Sequence, residues 1–233
     1  RRVVWTETGI LEKFPEGGLT VRWRTPVKEG YSSPVVADGR IFLTDFARVR
    51  GVTGPERALA LDEKTGEVLW TVEWEATYAG YQWPNGPRAT PTVDGDRVYA
   101  VSANGKLYAL DKRDGHQLWT IDLAARFGST IPSWGYTASP LIEGDLLLLP
   151  VGGAEGSSIA ALDKQNGKTI WTTYSDGLSY SSPIPVTFNG VRQILFLTEK
   201  NLVSVAPDDG QIYWTYPWTD TINITTPILI PDD

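Results

Sequence analysis

A ladder of tryptophans constrains this chain more than any other feature. Four segments align without gaps: ALDEKTGEVLWT (60–71), ALDKRDGHQLWT (109–120), ALDKQNGKTIWT (161–172) and SVAPDDGQIYWT (204–215). The first three share Ala, an Asp two residues on, a Gly four later and a Trp four later again. The fourth carries Ser204 and Ala206 in the first two slots and keeps Gly210 and Trp214. With Trp23 ahead of them, the spacing along Trp23, Trp70, Trp119, Trp171 and Trp214 is 47, 49, 52 and 43 residues. A second ladder runs in step with the first: SSP (32–34), ATP (89–91), ASP (138–140), SSP (181–183) and TTP (225–227). Two ladders in phase establish an internal repeat, and a period of this size belongs to solenoids, propellers and arrays.

Within a repeat the pattern is all β. In 89–121, ATPTV reads as a short strand, Asp94-Gly95 as a turn, RVYAVSA as an alternating strand and Asn104-Gly105 as a hairpin signal. KLYALDK alternates again, Asp114-Gly115 turns, and HQLWTID closes the unit. Repeated four-stranded meanders predict a β-propeller, one blade per repeat. No repeat has room for the helical crossover that a parallel α/β fold requires. The spacing predicts a lead-in over 1–18, blades over about 34–72, 91–121, 140–173 and 183–216, and lone strands at 19–25 and 225–230.

Gly66, Gly115, Gly167 and Gly210 fall where the turn between third and fourth strands needs positive φ, which glycine adopts cheaply. The Trp four residues later then lies on the fourth strand, where it can pack across the neighbouring blade beside a small Ala. The five ladder tryptophans, half of the ten present, are therefore expected to be structural. Asp62, Asp111 and Asp163 recur just before that turn and are expected to accept its backbone N–H groups.

The run A-x-D-x-x-x-G-x-x-x-W, with three full matches and one partial, resembles the tryptophan-docking motif of the pyrroloquinoline quinone (PQQ) repeat propellers. That family includes quinoprotein alcohol dehydrogenases and the outer-membrane assembly lipoprotein of Gram-negative bacteria. The resemblance implies a ring of seven or eight blades, of which four blades and two orphan strands would be about half. It also implies a periplasmic or otherwise exported protein. The chain begins Arg1-Arg2 and contains no Met, so a processed start or a piece of a longer protein is expected.

The loops leading from one blade into the next open on one face near the axis. They carry aromatic residues just before the Pro of the second ladder: Tyr31, Tyr81 with Trp83, Trp134 with Tyr136, Tyr180 and Trp218, with Arg88 as the one cation of the longest loop. Such rings suit a planar cofactor or a sugar, or they seal the blade junctions. Glu73, Glu75, Asp122, Asp176 and Asp220 follow the ladder Trp toward that face. A calcium site across blades would need six to eight oxygens, which no single segment supplies, so no metal ligands are assigned. His116, the sole histidine, belongs to a third-to-fourth strand turn and is expected in solvent. Asn223-Ile224-Thr225 fits a glycosylation pattern and PVGGAEGSS (150–158) reads as a hairpin turn.

The chemistry is bounded by absences. No Cys removes thiol catalysis, zinc knuckles and the vicinal Cys pair found in many quinoprotein alcohol dehydrogenases. The net charge of −7, without a basic stripe, lacks the footprint of a nucleic-acid binder, and no apolar run is long enough for a membrane helix. The leading expectation is a non-catalytic binding or scaffold module, with protein partners or a small ligand at the face of the lead-in loops. A PQQ- and calcium-dependent dehydrogenase and a carbohydrate-binding propeller are the alternatives. Exposed edge strands could pair with further blades or another chain.

Overall fold

The computed structural model describes Gly9, residues 11–218 and residues 222–229. Asp220, Ile230 and most of the first ten residues lie outside this range. Four antiparallel meanders account for the strands. The first is β1 (Val35–Ala37), β2 (Arg40–Phe46), β3 (Thr53–Asp62) and β4 (Val68–Thr77). The second is β5 (Thr92–Asp94), β6 (Arg97–Val101), β7 (Lys106–Asp111) and β8 (Gln117–Asp122). The third is β9 (Leu141–Glu143), β10 (Leu146–Pro150), β11 (Ile159–Asp163) and β12 (Thr169–Thr173). The fourth is β13 (Ile184–Phe188), β14 (Val191–Leu197), β15 (Asn201–Val205) and β16 (Ile212–Pro217). One short helix, α1 (Leu123–Phe127), interrupts the loop between the second and third sheets. Asp122 caps it by accepting from the Ala125 N–H, and Gly128 closes it at φ 66°.

Neither 19–25 nor 225–229 forms a strand, since neither is paired in a ladder among the described residues. They nevertheless lie against the neighbouring sheets. Trp23 Nε1 donates to the Glu63 carbonyl at 3.0 Å, and Ser181 Oγ donates to the Thr225 carbonyl at 2.9 Å.

The sheets pack face to face through apolar seams. Phe42, Ala60 and Trp70 of the first sheet meet Val98, Tyr108 and Leu110 of the second. Tyr99, Ala109 and Ile121 meet Leu147, Leu149, Ala160 and Leu162 of the third. Leu148, Ala161 and Trp171 meet Ile194, Phe196, Val203 and Val205 of the fourth. In every sheet the ladder between third and fourth strands slips by one residue just before the Trp, so Leu69, Leu118, Ile170 and Tyr213 are extra residues. A bulge re-aims the side chain that follows, and the indole then lies on the glycine of the next sheet. A Cβ on Gly115 would stand 2.9 Å from the Trp70 ring, and one on Gly167 would stand 3.0 Å from the Trp119 ring. Trp23 and Trp171 lie on Gly66 and Gly210 in the same way, and the four glycines have φ between 71° and 79°.

The seams are not identical. Trp70 Nε1 donates across to the Lys112 carbonyl and Trp171 Nε1 to the Pro207 carbonyl, each at 3.0 Å. The equivalent carbonyl for Trp119 is that of Lys164. Tyr99 occupies it with its hydroxyl at 2.9 Å, and Trp119 Nε1 has no partner. Trp214 has no sheet beyond it among the described residues. It is 41% exposed, and its Nε1 turns to Gln193 Oε1 of its own sheet at 3.1 Å.

Candidate functional site: an aromatic cavity at the upper face

Antiparallel order puts the lead-in loops and the second-to-third strand turns at one end of each blade, here the upper face, and the Asp–Gly turns at the other. His116 is exposed in the lower turn between β7 and β8. There Asp62 accepts from the Lys64 and Thr65 N–H groups, Asp111 from Arg113 and Asp163 from Gln165. The Thr65 and Lys64 N–H bonds hold the Asp62 carboxyl below its usual range.

At the upper face the second ladder has a role that its sequence signal left unassigned. The middle residue of each triplet is a hydroxyl: Ser33, Thr90, Ser139, Ser182 and Thr226. The Ser33 N–H donates to Thr90 Oγ1 at 3.1 Å, the Thr90 N–H to Ser139 Oγ at 3.0 Å, and the Ser139 N–H to Ser182 Oγ at 2.9 Å. Each lead-in is therefore hydrogen-bonded to the next. Parallel ties run from the Tyr31 N–H to the Pro87 carbonyl, from Thr137 Oγ1 to the Tyr180 carbonyl and from the Tyr180 N–H to the Asn223 carbonyl.

This staircase brings the loops around one cavity of about 500 Å³. Its aromatic wall is Tyr31, Trp83, Trp134 and Tyr180; its polar wall is Arg88 with Thr90, Thr137, Ser139, Ser182 and Thr226; Ile224 completes it. Trp83 is 69% exposed and sits at φ 54°, in the left-handed region that a bulky residue adopts only under strain. Arg88 holds that bend by donating to the carbonyls of Gln82, Trp83 and Gly86, with its guanidinium 5.3 Å from the ring centroids of both Tyr31 and Tyr78. Trp134 donates its indole N–H to Gln82 Oε1 at 2.9 Å and tilts against Tyr180 with 4.8 Å between centroids. A second cavity of about 400 Å³ lies on the other side of that pair, reaching Leu178 and Glu199.

Five of the eight residues expected at a ligand surface thus line the first cavity: Tyr31, Trp83, Arg88, Trp134 and Tyr180. Tyr136 is 2% exposed and packs over Gly105 in the core. Tyr81 is half-buried, edge-on to Tyr78 at 5.5 Å. The Trp218 backbone is bonded to the Lys200 carbonyl, and its exposed ring lies outside the lining. Sequence position put all eight just ahead of the Pro ladder, but alternation along each loop turns some rings inward to the core.

Among the described residues the lining contains no carboxylate and no histidine. Burial pushes the Tyr180 phenol above its ordinary range. Nor do the residues present fit the cofactor pair that the resemblance implies. A calcium ion wants carboxylate oxygens, and the tricarboxylate quinone wants several cations, whereas Arg88 alone is offered and its donors serve three carbonyls.

The nearby acids are engaged elsewhere. Asp122 caps α1, and Glu73 and Glu75 are exposed on β4. Asp176 accepts from Thr198 Oγ1, the Lys200 N–H and Asn201 Nδ2, pinning the fourth lead-in to the upper turn of the fourth sheet. No three His, Cys, Asp or Glu residues gather for a metal among the described residues. Asn223, in the glycosylation pattern, is 4% exposed and spends its amide on the carbonyls of Thr198 and Glu199.

Two buried acids gave no sequence signal. Glu56 is fully buried and accepts from the Tyr78 hydroxyl and from Trp74 Nε1. Asp45 pairs with Arg57 at 2.6 Å. Both belong to the first sheet and neither lines the cavity: Glu56 anchors Tyr78 at the start of the 78–91 loop, and Asp45 also accepts from the Lys28 N–H of the first lead-in.

The family profile described as outer membrane protein assembly factor BamB matches residues 16–82 and 54–228. Among solved structures, BamB from Moraxella catarrhalis is 20% identical with a TM-score of 0.53, covering 75% of this chain and 51% of that one. A europium-containing methanol dehydrogenase is 15% identical with a TM-score of 0.61, covering 87% and 46%. The quinohemoprotein alcohol dehydrogenase from Comamonas testosteroni is 17% identical with a TM-score of 0.57, covering 84% and 36%. The chain spans about half or less of the length of these structures. A search of curated proteins finds no match.

Proposed function

The chain belongs to the PQQ-like repeat β-propeller family of outer membrane protein assembly factor BamB, and on that premise we propose that it is a non-catalytic binding module. Its ligand surface is the upper-face cavity. One observation carries the reading: five lead-in loops, the first four tied by the hydroxyl staircase, converge on an aromatic wall in which the described residues include no acid–base pair. A wall of this kind can recognise and hold, but it supplies neither a general base nor a metal seat.

A protein partner fits the same reading, because the family takes its description from an assembly factor. The outermost strand β16 is exposed along its whole length, an unpaired edge of the sort that other β-structure can extend. An exported, periplasmic setting accords with the family. No helix among the described residues is long and apolar enough to cross a membrane.

The competing reading is a quinoprotein dehydrogenase. It is tested by titrating the chain with PQQ, with and without Ca²⁺, while following Trp fluorescence and reduction of an artificial electron acceptor in the presence of an alcohol. The expected result is no calcium-requiring saturable quenching and no turnover. Saturable quenching at micromolar PQQ that depends on Ca²⁺, with acceptor reduction, would overturn the non-catalytic assignment.

A further inference from the structure

We infer that the upper-face cavity takes a neutral carbohydrate, with a pyranose face stacked on Trp83 and its hydroxyl groups met by the Thr and Ser staircase. The inference rests on the reading of this cavity as a ligand site and adds the class of ligand.

Elimination on the lining leads there. A polyanion would have to be desolvated against a single cation, Arg88, whose N–H groups already hold three carbonyls. A cation would find no carboxylate in the wall. A purely apolar ligand would cover the hydroxyls of Thr90, Ser182 and Thr226 and leave them unpaired. A peptide added by backbone pairing needs free main-chain groups along an edge. Here the N–H groups of Tyr31, Ser33, Thr90, Ser139 and Tyr180 are all bonded within the protein.

What remains is a ligand that is polar yet uncharged, and flat and apolar on its faces. A pyranose has this composition, with C–H faces for an indole and a rim of hydroxyls that both donate and accept. The staircase matches that rim. Thr90 Oγ1 and Ser182 Oγ each accept one backbone N–H and keep their own O–H hydrogens for a ligand, while Thr137 Oγ1 donates to the Tyr180 carbonyl and can still accept.

The placement of Trp83 points the same way. A large apolar ring that is 69% exposed, at a backbone angle bulky residues avoid and clamped there by Arg88, is held out to solvent against its own preference. Trp134, in the same aromatic wall, has its N–H fixed to Gln82 and so offers its ring rather than an edge donor. The cavity, at about 500 Å³, exceeds the volume of one hexose and has room for more than a single sugar.

The test uses the indole N–H signals of the ten tryptophans in ¹H–¹⁵N NMR, with the full chain and four neutral probes: maltohexaose, cellohexaose, mannohexaose and chitohexaose. PQQ and an uncharged extended peptide serve as comparison probes. At least one hexasaccharide is expected to shift the Trp83 and Trp134 signals saturably. Trp83→Ala should weaken that binding by about tenfold or more while leaving the other indole signals in place, which shows that the variant is folded. Silence from all four sugars with a response to PQQ or peptide at Trp83 overturns the carbohydrate class and leaves a ligand site. Silence from every probe overturns both readings. A sugar response confined to other tryptophans, such as Trp214, moves the ligand off this cavity and overturns the assignment.

Discussion

At the lower end of each blade a glycine turn under the third and fourth strands repeats almost residue for residue, whereas at the upper end the lead-in loops share little beyond the short segment that ends in the ladder Pro. The lower turns of the first three blades place the same backbone bonds, and those of all four place a glycine at φ 71–79° under an indole, from the sheet before in three cases and from Trp23 in the first. The upper loops carry a bulky residue at positive φ in one blade, a helix in the next and a carboxylate clasp in the third. The contrast separates two tasks. Holding a blade against its neighbour is the same problem at every seam, so one solution recurs. Shaping a cavity around one axis needs different side chains from different blades, so little recurs there beyond the ladder Pro and the hydroxyl before it that ties loop to loop.

The sharpest way to break this comparison is to remove a lower-turn glycine. Gly115→Ala forces an L residue to φ 79° and sets its Cβ 2.8 Å from Val72 and 2.9 Å from Trp70. A cost of about 2–4 kcal/mol is expected from strain and displaced packing together. Gly95→Ala is the control, since Gly95 also has positive φ but nothing within 4 Å of a Cβ. Its cost should stay near 1 kcal/mol. Denaturant midpoints for the pair measure the difference. Equal losses would show that the indole seat contributes nothing and that only the backbone angle matters.

The seams themselves allow a finer test. Trp171→Phe orphans the Pro207 carbonyl, while Trp119→Phe removes an N–H that already lacks a partner. Both lose ring area, so the expected gap is the hydrogen bond alone, about 1 kcal/mol larger for Trp171→Phe. If the two variants are equally destabilised, the cross-blade indole bond carries no net stability.

Much of the lower end was legible in the sequence, because glycine at positive φ, Asp ahead of a turn and a periodic Trp each have a local physical cause. The bulge before each Trp was not legible: Leu69, Leu118, Ile170 and Tyr213 look like ordinary strand residues until the register is seen. Nor was the capture of the Lys164 carbonyl by Tyr99, since it depends on a side chain one strand and one blade away. At the upper end the sequence marks the loops, but not which way each ring faces. Tyr136 and Trp134 stand two residues apart, yet one is core and the other cavity wall, decided by Gly135 at φ 71° between them. The staircase was visible as the repeated Ser or Thr before Pro, and only the partner across the blade was missing.

The smallest expected effect separates the two ends by acid. Asp62, in a lower turn, is lowered by backbone N–H bonds and lies open to water, so solvent screens what its charge contributes. Asp176, in the upper clasp, is opposed by burial, which raises it, but the bonds from Thr198, Asn201, Lys200 and Gly177 outweigh burial and hold it below its usual range. A carboxyl lowered in the folded state stabilises fully above its unfolded pKa, and that contribution is lost as the pH falls through the folded value. Asp176→Asn should therefore melt below the native chain at pH 7 by about 2–4 °C, a difference of about 1 kcal/mol. The gap should narrow on acidification below about pH 4 and close once Asp176 is protonated in the folded protein. The unchanged Asp62 is common to both proteins and cancels from the comparison. A gap that persists undiminished in acid would mean that the clasp works through shape and not charge. The upper face would then owe its order to the staircase alone.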